Sequence, residues 1–480
     1  MLSRIRATLG TLSFSAFLVP LIAFIVPFEY KYRNLFRRLA EALTPADYPR
    51  HLDPRFFFYP SDILCLIVFG LALWQFRLPL RRLLLAVETR WLTAFFAMMA
   101  FSLAVSHYGI SAITLWRLVP LLCPILLACA LSQLPAEKMA RHVLLAIWTI
   151  GLFESCLALY QYFAQHSMGL PQLMEPLDLD KLAAIVVPGG SRWIFDTASA
   201  SDAFQGVIRS TGTLPHPNVL GGILLATLVS VFPLYTTASS SRFRRLLALS
   251  LIPIIFAFFT TYCRAAIFGF IVAAAIWFFK SRPFTARHRR IALIFLLVTG
   301  VSFTLLLDQY IHRGGVVNYS PTARGSDRGR IGMMLTAVAM IQEYPLLGVG
   351  YNMYDYYLAR FVPKGYEEGQ NTVHNIYLLI ASEGGLITLA LFSLFILLLL
   401  WRGLRTRLSP EGTALYALLF TLLFMGMLDL APFFAHQERV YLFLAAGLVA
   451  SLIREKQPIQ GAVDQLQPAR PNRTPLAPPA

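Results

Sequence analysis

Charged side chains are scarce in this chain: Asp, Glu, Lys and Arg together make up 14% of its 480 residues, while 57% are hydrophobic. A soluble domain needs roughly 25% charge to cover its surface, so the composition excludes an ordinary soluble protein and predicts a chain that lies in lipid. The net charge is nevertheless +16. Because the basic residues come in short clusters between apolar runs, we interpret them as topology signals and lipid-headgroup contacts, not as a nucleic-acid surface.

Motifs of familiar enzyme classes are also missing. There is no GxxxxGK(S/T) phosphate loop, no HExxH, no GxSxG and no acidic run of the kind that a divalent-metal glycosyltransferase uses. Nothing therefore points to nucleotide hydrolysis, proteolysis or metal-assisted catalysis, and we expect neither a cofactor nor a metal. Five cysteines lie within or at the ends of apolar runs, without CxxC or Cys/His spacing, and are interpreted as small core residues: Cys65, Cys123, Cys129, Cys156 and Cys263.

Apolar runs long enough to cross a membrane recur along the chain. A helix needs roughly 20 apolar residues to span the hydrocarbon layer, which predicts about twelve spans here. They lie near 8–28, 61–77, 91–109, 112–133, 142–163, 216–236, 246–262, 264–280, 291–308, 375–400, 413–430 and 438–453. The first run follows Arg4 and Arg6 without a small-residue cleavage site, so we interpret it as a retained signal anchor. The predicted fold class is an all-α polytopic membrane protein.

The basic residues assign a direction to these spans. With both termini in the cytoplasm, the even-numbered connections and the tail are cytoplasmic, and they carry the expected clusters: Arg77, Arg81, Arg82, Arg90, Lys138, Arg141, Arg242, Arg244, Arg245, Lys280, Arg282, Arg287, Arg289, Arg290, Arg402, Arg405, Arg407, Arg454 and Lys456. The predicted outer segment 29–60 disagrees, because it is also basic. We keep the orientation, since reversing it would lose several agreements to restore one.

Three predicted outer segments are too long to be simple turns, namely 29–60, 164–215 and 309–374. Within the third, the spacing of apolar residues predicts a helix over Gly329–Glu343 that lies across the mouth of the bundle and ends before Pro345. The apolar positions are Ile331, Leu335, Val338 and Ile341.

Three charged residues that are far apart in sequence map to the same predicted outer interface. Arg209 precedes the sixth span, Arg264 lies between the seventh and eighth, and His374, followed by Asn375, opens the tenth. Each has a structural alternative: Arg264 can snorkel from a helix end, His374 can be a hydrogen-bonded helix-start residue, and Arg209 can be a surface charge. Their coincidence on one face favours a functional site.

The residue types suit a lipid diphosphate, whose charge lies at the membrane interface. Two guanidinium groups can bind phosphate oxygens bidentately and stabilise the charge that develops on a diphosphate leaving group, without a metal. A histidine can accept a proton from an acceptor hydroxyl. Glu383, roughly 13 Å further along the tenth span than His374, and Glu154 in the fifth span are acids for which a structural hydrogen bond is an equal alternative. Arg117 is a further candidate for phosphate contact.

Several stretches together resemble the family of bacterial O-antigen ligases and O-antigen polymerases. The similarity covers roughly 205–400, and its segments follow the family's order: Arg-Ser-Thr-Gly-Thr-Leu-Pro-His-Pro-Asn (209–218), Thr-Thr-Tyr-Cys-Arg (260–264), Asp-Arg-Gly-Arg (327–330), Pro-Leu-Leu-Gly-Val-Gly (345–350) and His-Asn-Ile-Tyr-Leu-Leu-Ile-Ala-Ser-Glu-Gly-Gly (374–385). Two departures occur. Cys263 replaces the usual Ser before Arg264. Thr388 stands where family members often have a Gly after the Glu-x-Gly element. Neither change removes a charged group.

The resemblance implies a GT-C-like helical membrane fold and transfer of a glycan from undecaprenyl diphosphate at the periplasmic face of the bacterial inner membrane. It implies that Arg209 and Arg264 contact the diphosphate and that His374 is essential, which makes these three the predicted catalytic residues. The predicted substrate-binding residues are Arg117, Asn218, Arg328, Arg330, Asn375 and Glu383.

The predicted function is therefore a metal-independent glycan transferase. Its acceptor is lipid A–core for a ligase, which we take as the working hypothesis, or another lipid-linked glycan for an O-antigen or exopolysaccharide polymerase. A flippase or transporter is the alternative from another class, although its charges usually lie near the midplane within repeats. The expected partners are the lipid-linked donor, the acceptor and membrane lipids, with no nucleic acid. The chain divides into an N-terminal membrane part (1–204), the ligase-like core (205–456) and a Pro-rich disordered tail (457–480).

Overall fold

The computed structural model describes residues 17–28, 59–74, 77–106, 112–170, 186–188, 206–281, 284–314, 321–366 and 372–466. Regular structure in these ranges is helical apart from one small antiparallel sheet, in which β1 (Val186–Pro188) pairs with β2 (Gly206–Ile208). The architecture agrees with the predicted all-α membrane fold.

The helices follow the apolar runs of the sequence. In chain order they are α1 (Phe17–Phe28), α2 (Pro60–Trp74), α3 (Leu80–Leu85), α4 (Arg90–Val105), α5 (Ala112–Leu131), α6 (Glu137–Ala164), α7 (Pro217–Thr237), α8 (Ser241–Thr260), α9 (Arg264–Lys280), α10 (Ala286–Gly314), α11 (Pro321–Glu343), α12 (Tyr354–Phe361), α13 (Ile376–Arg405), α14 (Pro410–Met425), α15 (Ala431–Phe434) and α16 (His436–Leu466). Each run predicted as a span overlaps one of them.

Fewer helices meet the length of a membrane span than the apolar pattern of the sequence predicts. Within the described ranges, five helices (α6, α7, α8, α10 and α13) are long and apolar enough to cross a membrane, and α1, α2, α4, α5 and α14 are shorter apolar helices. The chain is thus supported as a membrane protein, and the figure of about twelve spans stays a prediction.

Helix α7 forms the centre of the bundle. Its apolar window is 94% buried, against 22% for α10, and it packs against α6, α8, α9 and α14. Gly221 and Gly222 allow this close packing: a Cβ on Gly221 would lie 2.8 Å from the Cβ of Cys263, and a Cβ on Gly222 would lie 2.3 Å from Oε1 of Glu438. Small residues let helix backbones approach each other, so α9 and α16 reach the start of α7.

One end of the bundle holds the basic clusters that the sequence placed in the cytoplasm. Arg402 lies 3.1 Å from Glu88, and Lys456 lies 3.1 Å from Glu137. The ammonium group of Lys280 donates to the carbonyl oxygen of Gly403 at 2.9 Å. These contacts join connections that the positive-inside rule assigned to one side, and which side of the membrane this end meets stays a prediction.

The helix predicted within the third outer segment is present, and it begins earlier than expected, at Pro321. The predicted stripe of Ile331, Leu335 and Val338 is exposed. The buried positions lie on the adjacent face, which includes Ala337 and Met340, because that face packs against α13.

Several predictions fall outside the described ranges. The basic segment 29–60 lies there up to residue 58, as do residues 1–16 of the predicted signal anchor. Helix α16 continues to Leu466, so the disordered tail predicted from Gln457 stays a prediction for residues 467–480, which are also outside these ranges.

Candidate active site

The stretch that leads into α7 is buried in the bundle and is held by two polar residues of α6. The carboxylate of Glu154 accepts the backbone N–H of Thr213 at 2.9 Å and its hydroxyl at 2.6 Å. The side-chain oxygen of Gln161 accepts the N–H groups of Thr211 and Gly212 at 3.0 and 2.8 Å. Glu154, which the sequence left open between a structural and a functional role, therefore holds a buried loop whose amides would otherwise lack partners.

Glycine is required at position 212 for two reasons. Its φ of +61° lies in the left-handed region, and a Cβ there would lie 2.1 Å from Oε2 of Glu154. The neighbouring Ser210 hydroxyl donates to the carbonyl oxygen of Ala158 at 2.7 Å and accepts from the hydroxyl of Thr260 at 3.0 Å. The loop is thus fixed between α6 and the end of α8, and Arg209 is fixed with it.

Arg209 is only 3% exposed, and its guanidinium is oriented by hydrogen bonds from two sides. Its Nε donates to the carbonyl oxygen of Thr261 at 2.9 Å, and an Nη2 hydrogen is donated to Oδ1 of Asn218 at 2.7 Å. Thr261 belongs to the turn before α9, and Asn218 belongs to the first turn of α7. A surface charge, the structural alternative for Arg209, does not fit this burial.

Asn218 connects Arg209 to a residue from the other end of the chain. Its Nδ2 donates to Oδ2 of Asp429 at 2.6 Å. The same Oδ2 atom lies 3.6 Å from Nδ1 of His374, while Oδ1 of Asp429 accepts the N–H of Ala431 at 3.0 Å. Hydrogen bonds therefore join Arg209, Asn218 and Asp429 into a polar chain, and His374 extends this chain at ion-pair distance from Asp429, across α7, the α14–α15 connection and the start of α13.

The electrostatics of Asp429 follow from this position. Burial alone would raise the pKa of its carboxyl group, but the neighbouring His374 imidazole and the Ala431 N–H outweigh burial and hold the pKa below its ordinary range. Asp429 is therefore an anion at neutral pH, and it presents an acceptor oxygen to the His374 ring.

Asn375 holds His374 next to Asp429. Its side-chain oxygen caps α13 by accepting the N–H groups of Tyr377 and Leu378, both at 3.0 Å. Its Nδ2 donates to the carbonyl oxygen of Met427 at 3.0 Å, two residues before Asp429. Asn375 thus ties the helix start to the connection that carries Asp429, which is a positioning role; substrate contact by Asn375 stays a prediction.

The Pro-Leu-Leu-Gly-Val-Gly and Ser-Glu-Gly-Gly segments of the sequence are partners in space. Helix α13 is broken at Gly385, where the backbone is non-helical, and the loop after α11 fills the break. The N–H of Val349 donates to Ser382 O at 2.9 Å, that of Gly350 to Glu383 O at 2.8 Å, and that of Leu386 to Pro345 O at 2.8 Å. The loop therefore satisfies backbone groups that the broken helix cannot satisfy itself.

Glycines permit this close approach. Gly348 and Gly385 have φ values of +66° and +79°. A Cβ on Gly385 would lie 2.0 Å from the carbonyl oxygen of Leu346, and a Cβ on Gly348 would lie 2.5 Å from that of Glu383. Gly348 and Gly385, one from each segment, are thus explained by the same contact.

Glu383 and Arg117, both predicted to bind substrate, contact the loop that precedes α12. The buried Glu383 carboxylate accepts the N–H of Tyr354 at 3.3 Å, at the start of that helix. Arg117 donates to the carbonyl oxygen of Asn352 at 3.3 Å, and its guanidinium lies 5.8 Å from the ring centroid of Tyr356. These contacts supply the structural partner that a buried acid requires; a substrate role for either residue stays a prediction.

The remaining predicted residues lie in different surroundings. Arg264 begins α9 with an exposed side chain, three residues after Thr261, which binds Arg209. Arg328 is exposed on α11, where it donates to the carbonyl oxygen of Gly365 at 2.8 Å and lies 5.6 Å from the ring centroid of Tyr366. Arg330 is partly buried on the same helix. The structure therefore brings Arg209, Asn218 and His374 together through Asp429, places Arg264 three residues after the Thr261 that contacts Arg209, and gives Arg328 other contacts.

Comparison with known families supports the resemblance that the sequence motifs indicate. Residues 246–393 match the family model described as O-antigen ligase. The chain carries an O-antigen ligase domain. The match runs from α8 to α13 and includes Arg264 and His374, whereas Arg209 and Asp429 lie outside it. A search of curated proteins found no match.

The match supports a membrane glycan transferase of the O-antigen ligase and polymerase type. Lipid-linked glycans and lipid acceptors are the partners that the family suggests, and the bacterial inner membrane is the location it suggests.

Two acidic residues near the O-antigen ligase domain were missed from sequence. Asp429 falls at the end of the predicted span 413–430, although a charged residue between two apolar runs and shortly before Pro432 is a usable signal. Glu438 falls at the start of the predicted span 438–453. It is fully buried beside Gly222, and neither carboxyl oxygen has a hydrogen-bond partner among the described residues.

A second buried polar cluster lies at the start of α16. The His436 ring stacks on Tyr59 with ring centroids 3.7 Å apart, and its Nε2 lies 2.9 Å from the hydroxyl oxygen of Ser61. Arg439 donates to the carbonyl oxygen of Phe433 at 3.1 Å. These contacts join α16 to the start of α2 and so brace the segment that follows Asp429.

Proposed function

We propose that this protein transfers a glycan from undecaprenyl diphosphate to an acceptor hydroxyl at the periplasmic face, as an O-antigen ligase whose acceptor is lipid A–core. The observation that supports this proposal best is the polar chain from Arg209 through Asn218 and Asp429 to His374. It couples a fixed cation, suited to a diphosphate, to an imidazole that has its own carboxylate partner.

The role of His374 follows from the side on which Asp429 lies. A carboxylate facing Nδ1 favours the tautomer with a proton on Nδ1, which leaves the lone pair on Nε2. Nε2 then accepts the proton of the acceptor hydroxyl as the hydroxyl oxygen attacks the anomeric carbon of the donor glycan. His374 becomes an imidazolium ion, and Asp429 stabilises its charge.

The leaving group departs on the other side of the anomeric carbon. As the new glycosidic bond forms, the bond between the anomeric carbon and the diphosphate oxygen breaks, and its electron pair stays on the diphosphate. Arg209 and Arg264 stabilise this charge through guanidinium–phosphate hydrogen bonds. The two arginines take this role without a metal.

The experiment uses the full chain in lipid nanodiscs with an undecaprenyl-diphosphate-linked saccharide, lipid A–core and EDTA. We expect transfer by the wild type and a loss of roughly 100-fold or more in His374→Ala, because a general base contributes about 10²–10⁴-fold. His166→Ala, which changes an exposed histidine at the end of α6, is the matched control and should retain wild-type transfer. Equal activity of His374→Ala and His166→Ala would refute the assigned role.

The acceptor that is supplied distinguishes the ligase from the polymerase. A parallel reaction replaces lipid A–core by a second lipid-linked glycan, and product length identifies a polymerase. Transfer only in that reaction would exclude the ligase in favour of the polymerase. Movement of the lipid-linked donor across the bilayer of a vesicle, without a new glycosidic bond, would favour the flippase.

A further inference from the structure

His216 lies in the motif that leads into α7, but it has no part in the reaction steps proposed for Arg209 and His374. Its residue is the N-cap of α7: the ring Nδ1 accepts the backbone N–H of Asn218 at 3.1 Å, and the His216 carbonyl oxygen accepts the N–H of Val219 at 3.0 Å. Ser, Thr, Asp and Asn are the side chains that usually cap a helix in this way. The cap alone therefore does not require a histidine.

The cap also determines which ring nitrogen of His216 carries the hydrogen. Because Nδ1 accepts a hydrogen bond, the hydrogen of the neutral ring is on Nε2. His374 has the opposite arrangement, since Asp429 faces its Nδ1 and leaves the lone pair on Nε2. The two imidazoles are thus complementary, because Nε2 of His374 is an acceptor and Nε2 of His216 is a donor.

Asn218 places His216 in the same polar cluster as the predicted catalytic residues. It contacts His216 through its backbone N–H, and Arg209 and Asp429 through its side-chain amide. His216 is also close enough to Asp429 for its charge to act on that carboxyl group. Asp429 is therefore influenced by two histidines, which come from the starts of α7 and α13.

The two histidines are the most accessible members of this cluster. Arg209 is 3% exposed, Asn218 7% and Asp429 3%, whereas His216 and His374 are half-buried. A partly exposed imidazole can exchange its present contacts for a ligand oxygen, and an N–H beside a guanidinium is a suitable donor to a phosphate oxygen.

We propose that the Nε2–H group of His216 donates a hydrogen bond to the diphosphate of the donor and stabilises it as the leaving group. The inference rests on the proposed function and adds a neutral donor to the two guanidinium groups. When the bond between the anomeric carbon and the diphosphate oxygen breaks, the electron pair stays on the diphosphate and the hydrogen stays on Nε2. A donor fixed where charge develops stabilises the transition state. His216 thus acts on the departing group, while His374 acts on the attacking hydroxyl.

Two substitutions separate the cap from the donor. His216→Ser keeps a side chain that caps a helix and removes the imidazole N–H. His216→Gln keeps an N–H donor on a side chain that is not among the preferred caps. Ser409→Ala is the matched control for a lost cap, because the Ser409 hydroxyl oxygen accepts the N–H of Gly412 at 3.2 Å at the start of α14.

Transfer, and binding of undecaprenyl diphosphate that carries no glycan, are measured for each full-length variant in nanodiscs, with thermal unfolding as the check of folding. We expect His216→Ser to unfold like the wild type, but to lose roughly tenfold or more in kcat and in affinity for undecaprenyl diphosphate, as expected for a lost hydrogen bond to a charged group. His216→Gln should be less stable than His216→Ser and retain more transfer. Ser409→Ala should lose stability and keep wild-type transfer and binding.

Wild-type transfer and binding in His216→Ser would overturn the proposal, because the ring would then be only a cap. So would a loss of transfer with unchanged binding of undecaprenyl diphosphate, since the ring would then act on Asp429 and not on the leaving group. A folded His216→Gln enzyme with less transfer than His216→Ser would also contradict it. If the wild type transfers glycan to no acceptor but its binding of undecaprenyl diphosphate depends on His216, the proposed function fails while the diphosphate contact stands.

Discussion

The side-chain amide of Asn218 donates to the carboxylate of Asp429 at 2.6 Å, although 211 residues separate the two in sequence. Asn218 also accepts from Arg209, so a single amide is bonded on one side to the cation and on the other to the acid that faces His374. The buried amide thereby makes the positions of these two groups interdependent.

Asn218→Ala should lower transfer by roughly 10–100-fold, the range seen when an outer-shell hydrogen bond that orients a reacting group is lost. Asn218→Asp should lower it further, because a second carboxylate would then face Asp429. The measurement is kcat for transfer in nanodiscs, with thermal unfolding as the check that both variants fold. A folded Asn218→Ala enzyme at wild-type kcat would show that the link is not needed.

Asp429 should make folding stability depend on pH in the acid range. Its folded pKa is depressed, so the unfolded chain binds the proton more readily than the folded protein. The stabilisation is present above the unfolded pKa of about 4 and is lost as pH falls through the folded value. Thermal unfolding of the wild type and Asp429→Asn should therefore differ most above about pH 5 and converge only once the pH has fallen below the folded pKa of Asp429. A difference that is constant with pH would contradict this.

Gly385→Ala should prevent α13 from packing against the loop after α11. The added Cβ would lie 2.0 Å from the carbonyl oxygen of Leu346, in addition to the strain of a φ of +79°. Gly365→Ala is the control, because Gly365 has a φ of +88° with no atom within 4 Å of the added Cβ. We expect the control to cost roughly 1–2 kcal/mol and Gly385→Ala to yield little folded protein, as judged by thermal unfolding. Similar stabilities would show that the steric contact is unimportant.

Arg264→Lys should reduce transfer by about tenfold or more, because an ammonium group cannot reproduce the bidentate fork of a guanidinium on a diphosphate. The exposed Arg360, which pairs with Glu343 at 2.7 Å, is a suitable control, and Arg360→Lys should have little effect. The comparison is of kcat/KM for the lipid-diphosphate donor. Full activity of Arg264→Lys would indicate that Arg264 only snorkels at its helix end.

The membrane class and the helices could be predicted from sequence because the hydrophobic effect acts on local composition. A run such as 375–400 predicts a helix whatever its neighbours are, and α13 covers it. The face of α11 was harder to predict. Both faces of that helix carry apolar residues, and burial of Ala337 in place of Leu335 depends on where α13 lies.

The sequence by itself determined that this chain belongs in a membrane, where its helices lie, and which motifs resemble an O-antigen ligase, since each of these depends on residues close together in the chain. Only the tertiary structure decided that Asp429 joins Asn218 and His374, and that Glu154 holds the loop of Arg209. The physical reason is that a buried polar group must find its partner wherever packing brings a donor or an acceptor, and α7, wrapped by helices from both halves of the chain, brings together residues that no local pattern connects.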